Sequence, residues 1–176
     1  MTLLPLPCPA FEPDLADPWL VIHTKSRQEK ALSTDLDRLG VRHFLPLIRH
    51  LRYYGKRKAS VEEPLFPGYV FLRGPIDQAY QADRTRRVAN IIPVADQGRI
   101  DWELRNLYLA IGQEITLDPY PHLVIGKKVR VGAGPMLGLE GFVEERLGWN
   151  RLVLTVRMLG QACSLEVNPS LLEIVD

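Results

Sequence analysis

The side chains of this 176-residue sequence that could do chemistry are few, and their spacing points to recognition and away from catalysis. His23, His43, His50 and His122 have no Cys, His or Asp partner at ligand spacing, so no metal site is expected. Cys8 and Cys163 stand at opposite ends of the chain. That argues against a disulfide framework or a thiolate metal site and fits a reducing, cytoplasmic setting. No carboxylate pair, Ser-His-Asp set or phosphate loop has the right context. Gly132-x-Gly134, for example, lacks the helix and lysine of a nucleotide loop. The chain is read as a non-enzyme without cofactors. Its cations are the stronger signal. Lys25, Arg27 and Gln28 follow one apolar run, and Arg84, Thr85, Arg86 and Arg87 close a helical pattern. A guanidinium suits guanine O6 and N7, and Lys and Arg both neutralise phosphate. Helix-end cations also answer the macrodipole, which would account for Arg84 or Arg86 alone.

The elements that must position these groups can be read in order. Trp19 to Thr24 is an apolar strand with two buried faces, central in its sheet. Ser26 stands three residues before Glu29, the capping-box spacing, and a helix follows with Leu32, Leu36 and Leu39 until Gly40. Val41 to Leu45 is a short strand. Leu47 to Tyr54 and Ala59 to Glu63 flank a hairpin tip at Gly55-Lys56-Arg57-Lys58. Residues 76–83 make a second helix, Val88 to Val94 a strand, and residues 101–115 a third helix. This order describes an α+β domain, a mixed sheet flanked by helices, over residues 18–116.

Pro64-Leu-Phe-Pro-Gly-Tyr-Val-Phe-Leu72 is the centre of that domain. Pro67-Gly68 is turn chemistry, and a strand follows it. Alternation places Val70 and Leu72 on one face and Tyr69 and Phe71 on the other, where the two aromatics could be covered by the chain's own helix as ordinary core or could anchor a partner. Phe66 could simply pack under the Pro67 turn, and His23 is most simply a satisfied strand residue. Residues 1–17 hold three acids, no base and several prolines, and are expected to be a flexible leader. Residues 117–122 carry two prolines and read as a semi-rigid linker. Beyond them, glycine-punctuated short strands over 123–176 suggest a small five-stranded SH3-like barrel. Residues 18–116 hold 16 Lys/Arg against 11 Asp/Glu, whereas 123–176 hold six of each, so the basic character belongs to the first domain. No apolar run is long enough to span a membrane.

Two signatures then coincide. Val129-x-Val131, Gly134-Pro135 and Gly138-x-x-Gly141-x-Val143 resemble a KOW motif. Trp19-Leu20-Val21 and Leu65-Phe66-Pro67-Gly68-Tyr69-Val70-Phe71 resemble the NusG N-terminal domain. Their order and spacing identify the chain as a member of the NusG superfamily. The hairpin Gly55 to Ala59, the Arg84-Thr85-Arg86-Arg87-Val88 run and Lys25 are similar to RfaH-like specialised paralogues. The chain departs from RfaH at Gly68, where RfaH has Asn. It departs again at Ala79-Tyr80-Gln81, where RfaH has a Thr-rich run, which leaves an RfaH-type contact to the polymerase gate loop without support. It also keeps the full KOW glycine pattern, which would break an all-helical C-terminal state.

The resemblance implies a transcription elongation and antitermination factor that suppresses pausing. The N-terminal domain would take the clamp helices of RNA polymerase on Tyr69, Phe71, Phe66 and His23. Non-template DNA would meet Lys25, Arg27, Gln28, Arg84, Thr85, Arg86 and Arg87, with Arg86 as base reader. The cations at 56–58 would touch upstream duplex or form only a solvated tip. The KOW domain would recruit a small-subunit ribosomal protein or Rho through Leu139, Phe142, Val143, Leu152 and Leu154. A monomer is expected. The alternatives are an RNA-binding, ribosome-associated KOW protein and a housekeeping NusG assisting Rho-dependent termination.

Overall fold

The structure, a computed structural model, describes residues 8–13, 16–113, 117–120, 126–143 and 151–175. Two compact units result; one ends at Gln97 and the other begins at Gly98, ahead of the boundary expected after residue 116.

The first unit contains β1 (Trp19–Thr24), α1 (Glu29–Arg38), β2 (His43–Phe44), β3 (Leu47–Tyr54), β4 (Arg57–Pro64), β5 (Tyr69–Arg73), α2 (Ile76–Asp83) and β6 (Val88–Pro93). Its main sheet has the order β2-β5-β1-β6, so the apolar β1 is central as expected. Every strand pairing in it is antiparallel, which corrects the expected mixed sheet. The reason is topological. The strands joined across each helix, β1 to β2 and β5 to β6, run parallel but are separated by an intervening strand. The result is two interleaved split β-α-β units. One face of this sheet buries Leu20, Ile22, Val70 and Leu72 against Leu32 and Leu36 of α1 and Ala79 and Ala82 of α2. Each fully buried leucine or isoleucine there contributes about 1.5–3 kcal/mol.

The opposite face carries Trp19, Val21 and Phe71, with Phe44 beside Phe71 on β2. Its cover includes the segment read as a flexible leader. Pro9–Phe11 forms a 3-10 turn with Ala10 and Phe11 buried. The Phe11 ring sits 4.9 Å from Phe44 and 5.4 Å from Trp19. Arg73 fixes this strap. It is buried, lies over the Trp19 ring, and donates to the carbonyl oxygens of Ala10 at 3.0 Å and Asp17 at 3.2 Å. Residues 8–13 are therefore packed structure, because Phe11 supplies apolar surface to an aromatic face. The rest of the leader lies mostly outside the described residues.

The second unit takes α3 (Gln97–Gly112) from Gly98 onward, then β7 (Asp118–Tyr120), β8 (Lys127–Val131), β9 (Glu140–Val143), β10 (Arg151–Val156), β11 (Gln161–Glu166) and β12 (Leu172–Ile174). The strands form one antiparallel sheet of order β12-β8-β9-β10-β11-β7. The expected linker thus contributes a strand of its own, pairing with β11. Residues 151–156 and 161–166 are strands, as the short-strand reading of this region expects. The extension of the strand at Phe142 to Leu147, the hairpin loop at Gly148-Trp149-Asn150, the end of α3 beyond residue 113 and the linker residues Pro121-His122 lie outside the described residues.

A buried polar network ties α3 to this sheet. Trp102 Nε1 donates to Glu140 at 2.7 Å, and the Glu140 backbone N–H donates to Asn106 Oδ1 at 2.7 Å. Glu103, almost fully buried, accepts from Arg99 at 2.9 Å and from the Arg157 backbone N–H at 3.2 Å. Burial alone would raise the Glu140 carboxyl. Hydrogen bonds from Trp102, Arg130 and Lys128 outweigh it and hold the group below the usual carboxylate range.

Candidate nucleic-acid and protein interface

Two chain reversals at one end of the first sheet bring the candidate cations together. The reversal after β1 runs through Lys25 to Gln28, and the reversal after α2 runs through Arg84 to Arg87. The Lys25 backbone N–H donates to the Arg87 carbonyl oxygen at 2.8 Å, closing the gap between them. Arg87 donates from Nε to Asp35 at 2.7 Å and from Nη1 to the Gln28 side-chain oxygen at 2.5 Å. Thr85 Oγ1 donates to the Ala82 carbonyl at 2.6 Å, holding the end of α2. Arg87, Gln28 and Thr85 therefore frame the site. Lys25, Arg27, Arg84 and Arg86 are exposed along it.

Arg27 and Arg86 share a further feature. Both take left-handed backbone, with φ of +59° and +62°, and the other positive-φ residues among those described are glycines. That conformation costs a side-chain-bearing residue roughly 1–2 kcal/mol, so the turns are held by their surroundings. No sequence signal marks either position, because arginine is not a turn former.

The aromatic candidates divide. Tyr69 and His23 are half-exposed and stacked, ring centroids 5.2 Å apart with planes at 25°. The turn beneath them is fixed from two sides. Gly68 has φ +89°, its carbonyl accepts from the Thr24 N–H at 2.8 Å, and its own N–H donates to Glu29 Oε1 at 2.7 Å. Glu29 is thus drawn away from the expected capping box, and Gln28 occupies the N-cap position with no side-chain cap bond. Phe71 and Phe66, by contrast, are buried at 0% and 1% exposure. Their assignment to an open surface is corrected: Phe71 pairs between Val21 and Phe44 at the middle of the aromatic face.

The expected partner edge of the second unit is also interior. Leu139, Val143, Leu152 and Leu154 are buried, and half-buried Phe142 meets Trp102 edge-on at 6.2 Å. β10 is buried along both faces, because Val153 packs with Phe142 and Ala162 on one side while Leu152 and Leu154 point to the other. The most exposed large apolar groups among its described residues are instead Leu137, in the glycine-flanked turn, and Ile174, both at 61%, followed by Met158.

Among the described residues, no cluster of three His, Cys, Asp or Glu side chains could hold a metal ion, and no helix is long and apolar enough to cross a membrane. Residues 17–102 match the family model described as NusG, transcription termination factor nusG. No curated protein matches the chain.

Proposed function

Because the chain belongs to the NusG superfamily through its domain at residues 17–102, we propose that it is an elongation and antitermination factor of the RfaH-like kind, binding RNA polymerase through that domain. NusG-family proteins are transcription factors, so binding and not catalysis is its mode of action. The carrying observation is the backbone bond between Lys25 and Arg87, which supports one continuous basic edge built from two separate reversals. Lys25, Arg27, Arg84 and Arg86 on that edge would meet an exposed DNA strand, the strained Arg86 reading a base and the others neutralising phosphate. Tyr69 and His23 form an amphipathic shelf that suits the tip of a polymerase helix pair.

The C-terminal unit would act as a KOW module, an SH3-like barrel recruiting a small-subunit ribosomal protein or Rho. Leu137 and Ile174 are the most exposed apolar groups among its described residues.

The test is transcription by core polymerase on a paused template. The wild-type chain should co-purify with polymerase and increase read-through. Tyr69→Ala should weaken co-purification. Arg84→Gln/Arg86→Gln should bind polymerase normally but lose recruitment at the pause. Polymerase binding unchanged by Tyr69→Ala and His23→Ala would overturn the shelf. Increased Rho-dependent release in place of read-through would favour the housekeeping reading.

A further inference from the structure

The β3–β4 hairpin is a two-stranded sheet separate from the rest of its unit. Its strands have eight residues each, a reach of about 26 Å at roughly 3.3 Å per residue. Every residue from Leu51 to Lys58 is exposed. Charge is distributed along its length. Near the base, Glu62 and Glu63 neutralise Arg49 and Arg52 through ion pairs, and Lys30 of α1 donates to the Glu62 carbonyl oxygen. At the tip, Lys56, Arg57 and Lys58 stand without an acid in either strand segment beside them.

Between these cations stand two large aromatics. Tyr53 is 71% exposed and Tyr54 60%, and as neighbours on one strand they project from opposite faces. Each faces a cation across the ladder, Tyr53 opposite Lys58 and Tyr54 opposite Arg57. Lys58 Nζ lies 5.9 Å from the centre of the Tyr53 ring, an exposed cross-strand contact worth at most about 1 kcal/mol that leaves the ring open to solvent, and cations alone would suffice for a duplex backbone. Exposed rings interleaved with cations match the chemistry of unpaired bases, which stack on aromatics while their phosphates take the charges.

We propose that the tip of this hairpin is a second nucleic-acid contact, selective for unpaired strands, with Tyr53 and Tyr54 each stacking a base. It is a separate surface from the basic edge at the sheet end and does not depend on polymerase binding.

The test is fluorescence anisotropy of the full chain with a labelled single-stranded oligonucleotide and with a blunt duplex of the same length. Single strand should bind more tightly. Tyr53→Ala/Tyr54→Ala should lose at least about fivefold in single-strand affinity per ring and leave duplex binding unchanged. Tyr53→Phe/Tyr54→Phe should keep the affinity. Lys56→Gln/Arg57→Gln/Lys58→Gln should lower the salt slope by about 0.7 for each phosphate that is no longer neutralised. Arg84→Gln/Arg86→Gln, measured in parallel, reports the other surface, so failure of one can be told from failure of the other. Single-strand affinity unchanged in Tyr53→Ala/Tyr54→Ala, or duplex bound as tightly as single strand, would overturn the proposal.

Discussion

Glu29 Oε1 accepts the backbone N–H of Gly68 at 2.7 Å, so the first turn of α1 holds the turn that presents Tyr69. Glu29 is 7% exposed, and its loss would leave a backbone donor without this partner. Glu29→Ala is expected to cost about 1.5–3 kcal/mol in chemical denaturation. It should weaken polymerase binding as well, because the His23–Tyr69 stack sits on that turn. Ser26→Ala, at the position expected to cap the helix, should change stability by less than about 0.5 kcal/mol. Equal costs for the two would mean that Ser26 caps α1 after all.

The basic edge separates charge from stability. Arg87 bonds Asp35 and Gln28, so Arg87→Gln should cost about 1 kcal/mol, the pair being partly screened by solvent. Arg86 is exposed and strained, so Arg86→Gly should hold or raise stability by up to about 1 kcal/mol while losing DNA recruitment. Thermal melts alongside recruitment to a paused complex would check both. A strongly destabilised Arg86→Gly would show that its side chain anchors the turn.

Gly141 allows β9 to approach β10. A Cβ there would lie 2.7 Å from the Val153 carbonyl oxygen, a backbone atom that cannot rotate away. Gly141→Ala should therefore cost about 1–3 kcal/mol. Gly138→Ala meets no neighbour within 4 Å and pays only for its positive φ of +85°, roughly 1–2 kcal/mol. Urea unfolding of the two variants compares a steric cost with a conformational one.

Local pattern showed most of the elements in the sequence, and what it could not show was what covers each face. Strands β1, β5 and β10 are built on unbroken apolar runs, Trp19 to Ile22, Tyr69 to Leu72 and Leu152 to Leu154, and that pattern says only that both faces are covered. Tyr69 and Phe71 share a face by alternation, yet one is half-exposed and the other buried. The difference comes from Phe44 and the neighbouring aromatic contacts of Phe11, residues distant in sequence with no periodic signal of their own. The juxtaposition of Lys25 with Arg87 was legible as a possibility, because both flank strands of one sheet. The division of labour between Arg86 and Arg87 was not, since it depends on Asp35 half a domain away. No sequence signal marks Glu103 and Asn106 of α3 as buried, because a polar residue in a helix signals burial only through its tertiary partners.

Glu140 makes the second unit sensitive to acid. Its carboxylate accepts from Trp102, Arg130 and Lys128, and these bonds hold its folded value below the 4.5 of a free carboxyl. A group with a lowered folded value contributes stability above its unfolded value, and that contribution is lost as pH falls through the folded one. Stability of this unit should therefore be flat from neutrality to about pH 5 and decline below it. In Glu140→Gln the bonds from Lys128 and Arg130 lose their charge, so the variant should be less stable at pH 7. The bond from the Glu140 backbone N–H to Asn106 remains in both and does not titrate in this range. The stability curves of wild type and Glu140→Gln, measured by urea unfolding from pH 7 to pH 3, should consequently converge as the wild-type carboxyl is protonated. Curves that stay parallel over that range would place the acid response on another group.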